Sequence, residues 1–68
     1  MLKNHNHDLV HQLSETSDSI WRMEDYLKNA EGCEYCKSAW NKMKEDFENH
    51  VGLLKEEIIR HVNENRFD

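Results

Sequence analysis

Gly32 is one of only two glycines in a chain that contains no proline, and it stands near the middle, directly before Cys33-Glu34-Tyr35-Cys36. On both sides of it the apolar residues recur at helical spacing. A glycine can adopt the left-handed backbone that closes a helix at its C′ position. Glu34, just beyond, suits the first turn of a new helix, where the dipole favours negative charge. A connection this short makes two helices antiparallel neighbours. The pattern predicts an all-α fold in one domain over residues 1–68, with a helix over about 6–30, a turn over about 31–35 and a helix over about 36–62.

In the first segment Leu9, Leu13, Thr16, Ile20, Met23 and Leu27 repeat at intervals of four and three, which is one face of a helix. Asn4 or Asn6 is the expected N-cap, with Asp8 in the first turn. Asp18 with Arg22, and Glu24 with Lys28, are spaced to pair along the helix. The run Ser14 to Ser19 is rich in side chains that compete for backbone hydrogen bonds, and it is the place where this helix is most open to a break. The second segment carries a stripe of larger residues: Cys36, Trp40, Met43, Phe47, Val51, Leu54, Ile58 and Val62. Trp40 is expected near Met23 and Leu27, and Glu56 is spaced to support Arg60. Met1 to Asn6 and Asn63 to Asp68 are polar and expected to fray, with Phe67 free to dock back.

Some apolar residues fall off these stripes. Val10 and Trp21 lie roughly 100–120° round the first helix from the stripe centre, with the small Ser14 and Ser17 between them. Leu53 and Ile59 lie off the second stripe on opposite sides. Two helices cannot hide these residues from water by packing on each other alone, and a chain of this size is marginal by itself. Val10, Trp21, Leu53 and Ile59 are therefore the expected interface of a homodimer, in which two hairpins associate into a four-helix bundle. Gly52 falls within the second helix, where it costs about 1 kcal/mol relative to alanine and is compatible with close approach of another helix.

The formal charge of −5 is spread along both halves, which argues against nucleic acid as a partner, since phosphate binding needs a basic stripe. No run is apolar enough for a membrane span, and no secretory signal pattern is evident. A cytoplasmic setting with reduced thiols is the expectation. No Ser/His/Asp grouping in a strand–turn setting and no glycine-rich phosphate loop points to an enzyme.

Cys33 and Cys36 form a C-x-x-C pair, for which three readings stand side by side. A structural zinc needs four ligands, so two hairpins meeting at their turns would supply an all-thiolate site; this resembles the zinc hook of the DNA-repair coiled-coil ATPases. A redox pair is the second reading, because a cysteine at a helix N-terminus has a lowered pKa. In the third, the two are simply small residues at a helix start. His50 is too far along the helix from Cys36, about 21 Å, to share a metal with it.

His50, Glu57 and His61 share one edge of the second stripe on the helical wheel. An antiparallel return brings His5, His7 and His11 toward the same end, and His7 and His11 have the spacing of a metal-binding pair. Glu48-Asn49-His50-Val51-Gly52-Leu53-Leu54-Lys55-Glu56-Glu57 resembles the second helix of a ferritin-like or rubrerythrin-like half-bundle, and Trp21-Arg22-Met23-Glu24-Asp25-Tyr26 is similar to the first. The resemblance implies a metal-binding or redox protein with iron held in the bundle by His50, Glu57 and His61. The leading expectation from the residues themselves is a small acidic interaction or assembly module, with zinc at the cysteine pair as its metal. An acidic adaptor or inhibitor of a basic partner is the remaining alternative.

Overall fold

A computed structural model describes all 68 residues. The chain forms two helices, α1 (Asn4–Asn29) and α2 (Glu34–Asn63), which pack against each other as an antiparallel hairpin without any strand. α1 runs unbroken through Ser14 to Ser19. The apolar repeat carries through that stretch without a phase shift, and packing along it outweighs the local preference of serine and aspartate for caps.

The seam between the helices has a strict repeat. On α1 and its flanks Leu2, Asn6, Leu9, Leu13, Thr16, Ile20, Met23, Leu27 and Ala30 are all buried or half-buried, alternating at four and three. On α2 the matching series is Cys33, Lys37, Trp40, Lys44, Phe47, Val51, Leu54, Ile58 and His61. This is the a/d repeat of a coiled coil. It corrects the stripe expected for α2, because Cys36, Met43 and Val62 are exposed while Lys37, Lys44 and His61 take the inward positions. Lysine can do so because its aliphatic stem covers apolar surface while the ammonium reaches outward. Lys44 Nζ reaches across to Glu24 at 3.6 Å, so Glu24 pairs between helices and not with Lys28. Similarly, Arg60 pairs with Glu57 at 3.3 Å and not with Glu56, and Arg22 meets the hydroxyl of Ser19 at 2.6 Å. Trp40 packs against Tyr26 with the rings tilted at 55° and their centroids 5.2 Å apart.

Both ends of the chain are ordered where the sequence pattern predicts fraying. α1 is capped by Lys3, which makes no side-chain cap bond, and not by Asn4 or Asn6. α2 ends in a Schellman motif. Asn65 takes the left-handed backbone at φ 57°, the Arg66 amide donates to the His61 carbonyl at 2.7 Å, and the Asn65 amide donates to that of Val62 at 3.1 Å. The chain turns back, Phe67 becomes half-buried, and the Lys3 amide donates to the backbone oxygen of Asp68 at 2.7 Å. At the opposite end Gly32, at φ 92°, turns the chain between the helices.

The rod is slender, with extents of 50 × 18 × 12 Å and a radius of gyration of 15.4 Å, where a globular chain of this length has about 11 Å. Only Met23 and Ala30 are buried apolar residues. The accessible surface is 5263 Å², whereas a compact chain of this mass exposes about 4500 Å².

Candidate functional site

Two places in the hairpin concentrate polar chemistry: the turn and the end where the termini meet. At the turn, Cys33 is the N-cap of α2 and its sulfur accepts from the Cys36 amide at 3.3 Å. Cys36 sits one helical turn in, and both thiols are free. Hydrogen bonds from the Cys36 thiol and the Cys36 amide hold the Cys33 thiol below its ordinary value. The same side-chain bond raises Cys36, which acts as the donor, and burial and the nearby Cys33 charge add to the rise. The helix N-terminus favours a thiolate at this position. Cys36 also lines an open cleft of about 450 Å³ with Tyr26, Asn29, Ala30 and Trp40. The cleft walls are largely apolar, and Tyr26 and Trp40 supply aromatic faces.

At the other end, Asn6 is fully buried and His61 nearly so. The Asn6 amide nitrogen donates to the Arg66 carbonyl at 2.8 Å and to the backbone oxygen of Asp68 at 3.1 Å. Those partners can only accept, so the Asn6 carbonyl is the group facing His61 Nδ1 at 2.6 Å. His61 Nδ1 must then carry the proton. Its Nε2 points toward Glu57 at 3.8 Å, and the His5 ring meets the His61 ring edge-on at 5.3 Å between centroids. The sequence pattern places His61 at a solvated stripe edge; in the structure it is a core residue of a polar clasp.

The expected metal-site residues are thus only partly brought together. Glu57 and His61 adjoin, but His50 is exposed and its ring neighbour is Phe47, at 6.2 Å. Eleven residues along a helix separate His50 from His61 by about 16 Å, so the three do not converge within one chain. The position three before His50, where the ferritin-like pattern has glutamate, is Phe47. The His7 and His11 rings lie 5.7 Å apart. No cluster of three or more His, Cys, Asp or Glu side chains is arranged to hold a metal ion, and the turn offers two of the four thiolates a structural zinc needs.

The expected interface residues are exposed: Val10 41%, Trp21 70%, Leu53 61% and Ile59 57%. They do not share one face. The cleft sets the flank of α1 that carries Tyr26 against the flank of α2 that carries Cys36. The opposite flanks therefore adjoin on the other broad face of the hairpin. Val10 and Trp21 lie about 80–130° round α1 from the seam, away from Tyr26. Ile59 and Val62 lie round α2 in the direction away from Cys36. Leu53 lies with Cys36 and Met43, so one broad face carries Val10, Trp21, Ile59 and Val62, and the other carries Leu53.

No helix is long and apolar enough to cross a membrane. No family model matches the chain, and neither a curated protein nor a solved structure matches it.

Proposed function

We propose that the chain is a self-assembly module whose partner is a second copy of itself, stacked on the broad face of Val10, Trp21, Ile59 and Val62 to complete a four-helix bundle. The observation that carries this reading is surplus surface. The hairpin exposes roughly 700 Å² more than a compact chain of its mass, close to the roughly 800 Å² that one partner contributes to a standard interface. Trp21 is 70% exposed, and tryptophan is among the residues that dominate binding energy when covered.

The middle of the same face fits a close neighbour. Ser14 and Ser17 separate Val10 from Trp21, and a Cβ added at Gly52 would meet nothing within 4 Å. Gly52 is thus not required by contact between α1 and α2, and its absence of a side chain leaves room for an incoming helix.

The test uses Trp21 as its own reporter. With Trp40→Phe, Trp21 is the sole tryptophan, and its quenching by acrylamide is followed on dilution. Protection at high concentration that is lost as the protein is diluted supports the bundle. Quenching as strong as that of a free indole at every concentration contradicts it.

A further inference from the structure

We infer that Cys33 and Cys36 form a thiol–disulfide exchange site, with Cys33 as the attacking sulfur and Cys36 as the resolving one, and that its substrate is a disulfide flanked by an apolar or aromatic group. Three features converge on this. Cys33 caps α2, and its sulfur accepts the Cys36 amide at 3.3 Å, so a negative sulfur there has a donor and a helix N-terminus behind it. Cys36 lies three residues on, in the first turn of the same helix, with its amide on the Cys33 sulfur. The cleft lined by Tyr26 and Trp40 has Cys36 in its wall, and Cys33, the cap of the same helix, lies one turn before it. A buried structural pair would be closed to a substrate, but Cys36 is exposed and Cys33 half-exposed. The hydrogen bond from the Cys36 amide also divides the roles: the Cys33 sulfur that accepts it is favoured as thiolate, and Cys36 keeps its proton until it is needed.

The reaction balances without a cofactor. The Cys33 thiolate attacks one sulfur of the substrate disulfide; that S–S bond breaks and the other substrate sulfur leaves as a thiolate. Cys36 gives its proton to solvent and attacks the Cys33 sulfur of the mixed disulfide. The second substrate sulfur leaves, both substrate sulfurs are reduced to thiols, and the two electrons lost by the protein leave a Cys33–Cys36 disulfide. A low-molecular-weight thiol reverses the protein half of the exchange. The cleft lies on the broad face opposite Val10 and Trp21, so the site stays open whether or not two copies stack.

The test treats the reduced protein with dithiobis(nitrobenzoic acid), an aromatic disulfide, and with hydroxyethyl disulfide, a small polar one. Wild type is expected to release both nitrothiolate equivalents and to finish two hydrogens lighter, with the Cys33–Cys36 bond found by peptide mapping. Cys36→Ser is expected to stop at a stable mixed disulfide on Cys33. Cys33→Ser is expected to react at least about tenfold more slowly through Cys36. Tyr26→Ala, checked as helical by circular dichroism, is expected to slow the aromatic reagent several-fold more than the polar one. The inference is overturned if both single-cysteine variants react at the rate of the denatured chain, if oxidation cross-links copies instead of closing the pair, or if protein isolated without chelator holds zinc on these thiols.

Discussion

The two ends of the hairpin solve the same problem by different means. At the turn the chain itself joins the helices through Gly32, so no side chain is needed to hold them together there. Cys33 and Cys36 are left free, beside an open cleft. At the other end nothing covalent joins α1 to α2, and the closure is made by polar groups. Asn6 donates both amide hydrogens to backbone oxygens and accepts from His61 with its carbonyl, and the Lys3 amide adds another cross-link. Both ends are rich in polar and titratable side chains, but the ones that close the open end, Asn6 and His61, are buried, whereas the cysteines at the turn are not. A histidine locked in a clasp is a structural residue, whereas a thiol at a covalently closed turn can be put to chemical use.

Substitutions can break this contrast, beginning with the largest expected effect. Asn6→Ala leaves His61 Nδ1 without its acceptor inside the seam and removes two further bonds, so it is expected to destabilise by about 2–3 kcal/mol in a urea titration. Gly32→Ala places a side chain at φ 92°, where nothing lies within 4 Å to clash, and the left-handed backbone alone costs about 1–2 kcal/mol. Cys33→Ser and Cys36→Ser are expected to stay within about 0.5 kcal/mol of wild type, because serine keeps an N-cap acceptor at position 33 and Cys36 is exposed. If the cysteine variants cost as much as Asn6→Ala, the contrast between the ends fails. The smallest effect belongs to the ion pair of Lys3 with Asp68 at 3.2 Å. Both side chains are more than 60% exposed, so Lys3→Ala should cost less than about 0.5 kcal/mol.

A pH series sharpens the same comparison at the turn. Cys33 is held below its ordinary value and Cys36 above it. A lowered acid ionises at lower pH, so alkylation of Cys33 by iodoacetamide should rise first as pH is raised, and that of Cys36 should follow at higher pH. Peptide mapping of singly alkylated protein would show Cys33 modified first. Equal labelling across the series would mean that the bonds at the N-cap do not polarise the pair.

Much of this architecture was legible in the sequence, because α1 carries its apolar residues at the seam positions and Gly32 marks the turn between the helices. The α2 seam was harder to read. Lys37 and Lys44 take inward positions that a hydropathy pattern assigns to solvent, and the neighbouring Cys36 and Met43 offered a more apolar alternative. Extending the four-and-three spacing without regard to polarity, from Leu9 back to Leu2 and from Ile58 on to His61, would have placed Asn6 and His61 inside. The clasp was hidden for the same reason: hydropathy records that asparagine and histidine are polar, not that they are partnered. Asn65 was the available signal for an ordered C-terminus, since asparagine is the residue besides glycine that closes helices with a left-handed backbone. The division of the exposed apolar residues between two faces needed the hairpin's register, which the wheel of a single helix does not contain.

The central claim is that this rod is half of a larger core, and sedimentation equilibrium of the wild-type protein tests it most directly. The account predicts a mass of twice 8.2 kDa at high concentration, with Trp21→Glu shifted to the single-chain value while its helical circular dichroism persists. A wild-type mass of 8.2 kDa at every concentration would contradict it.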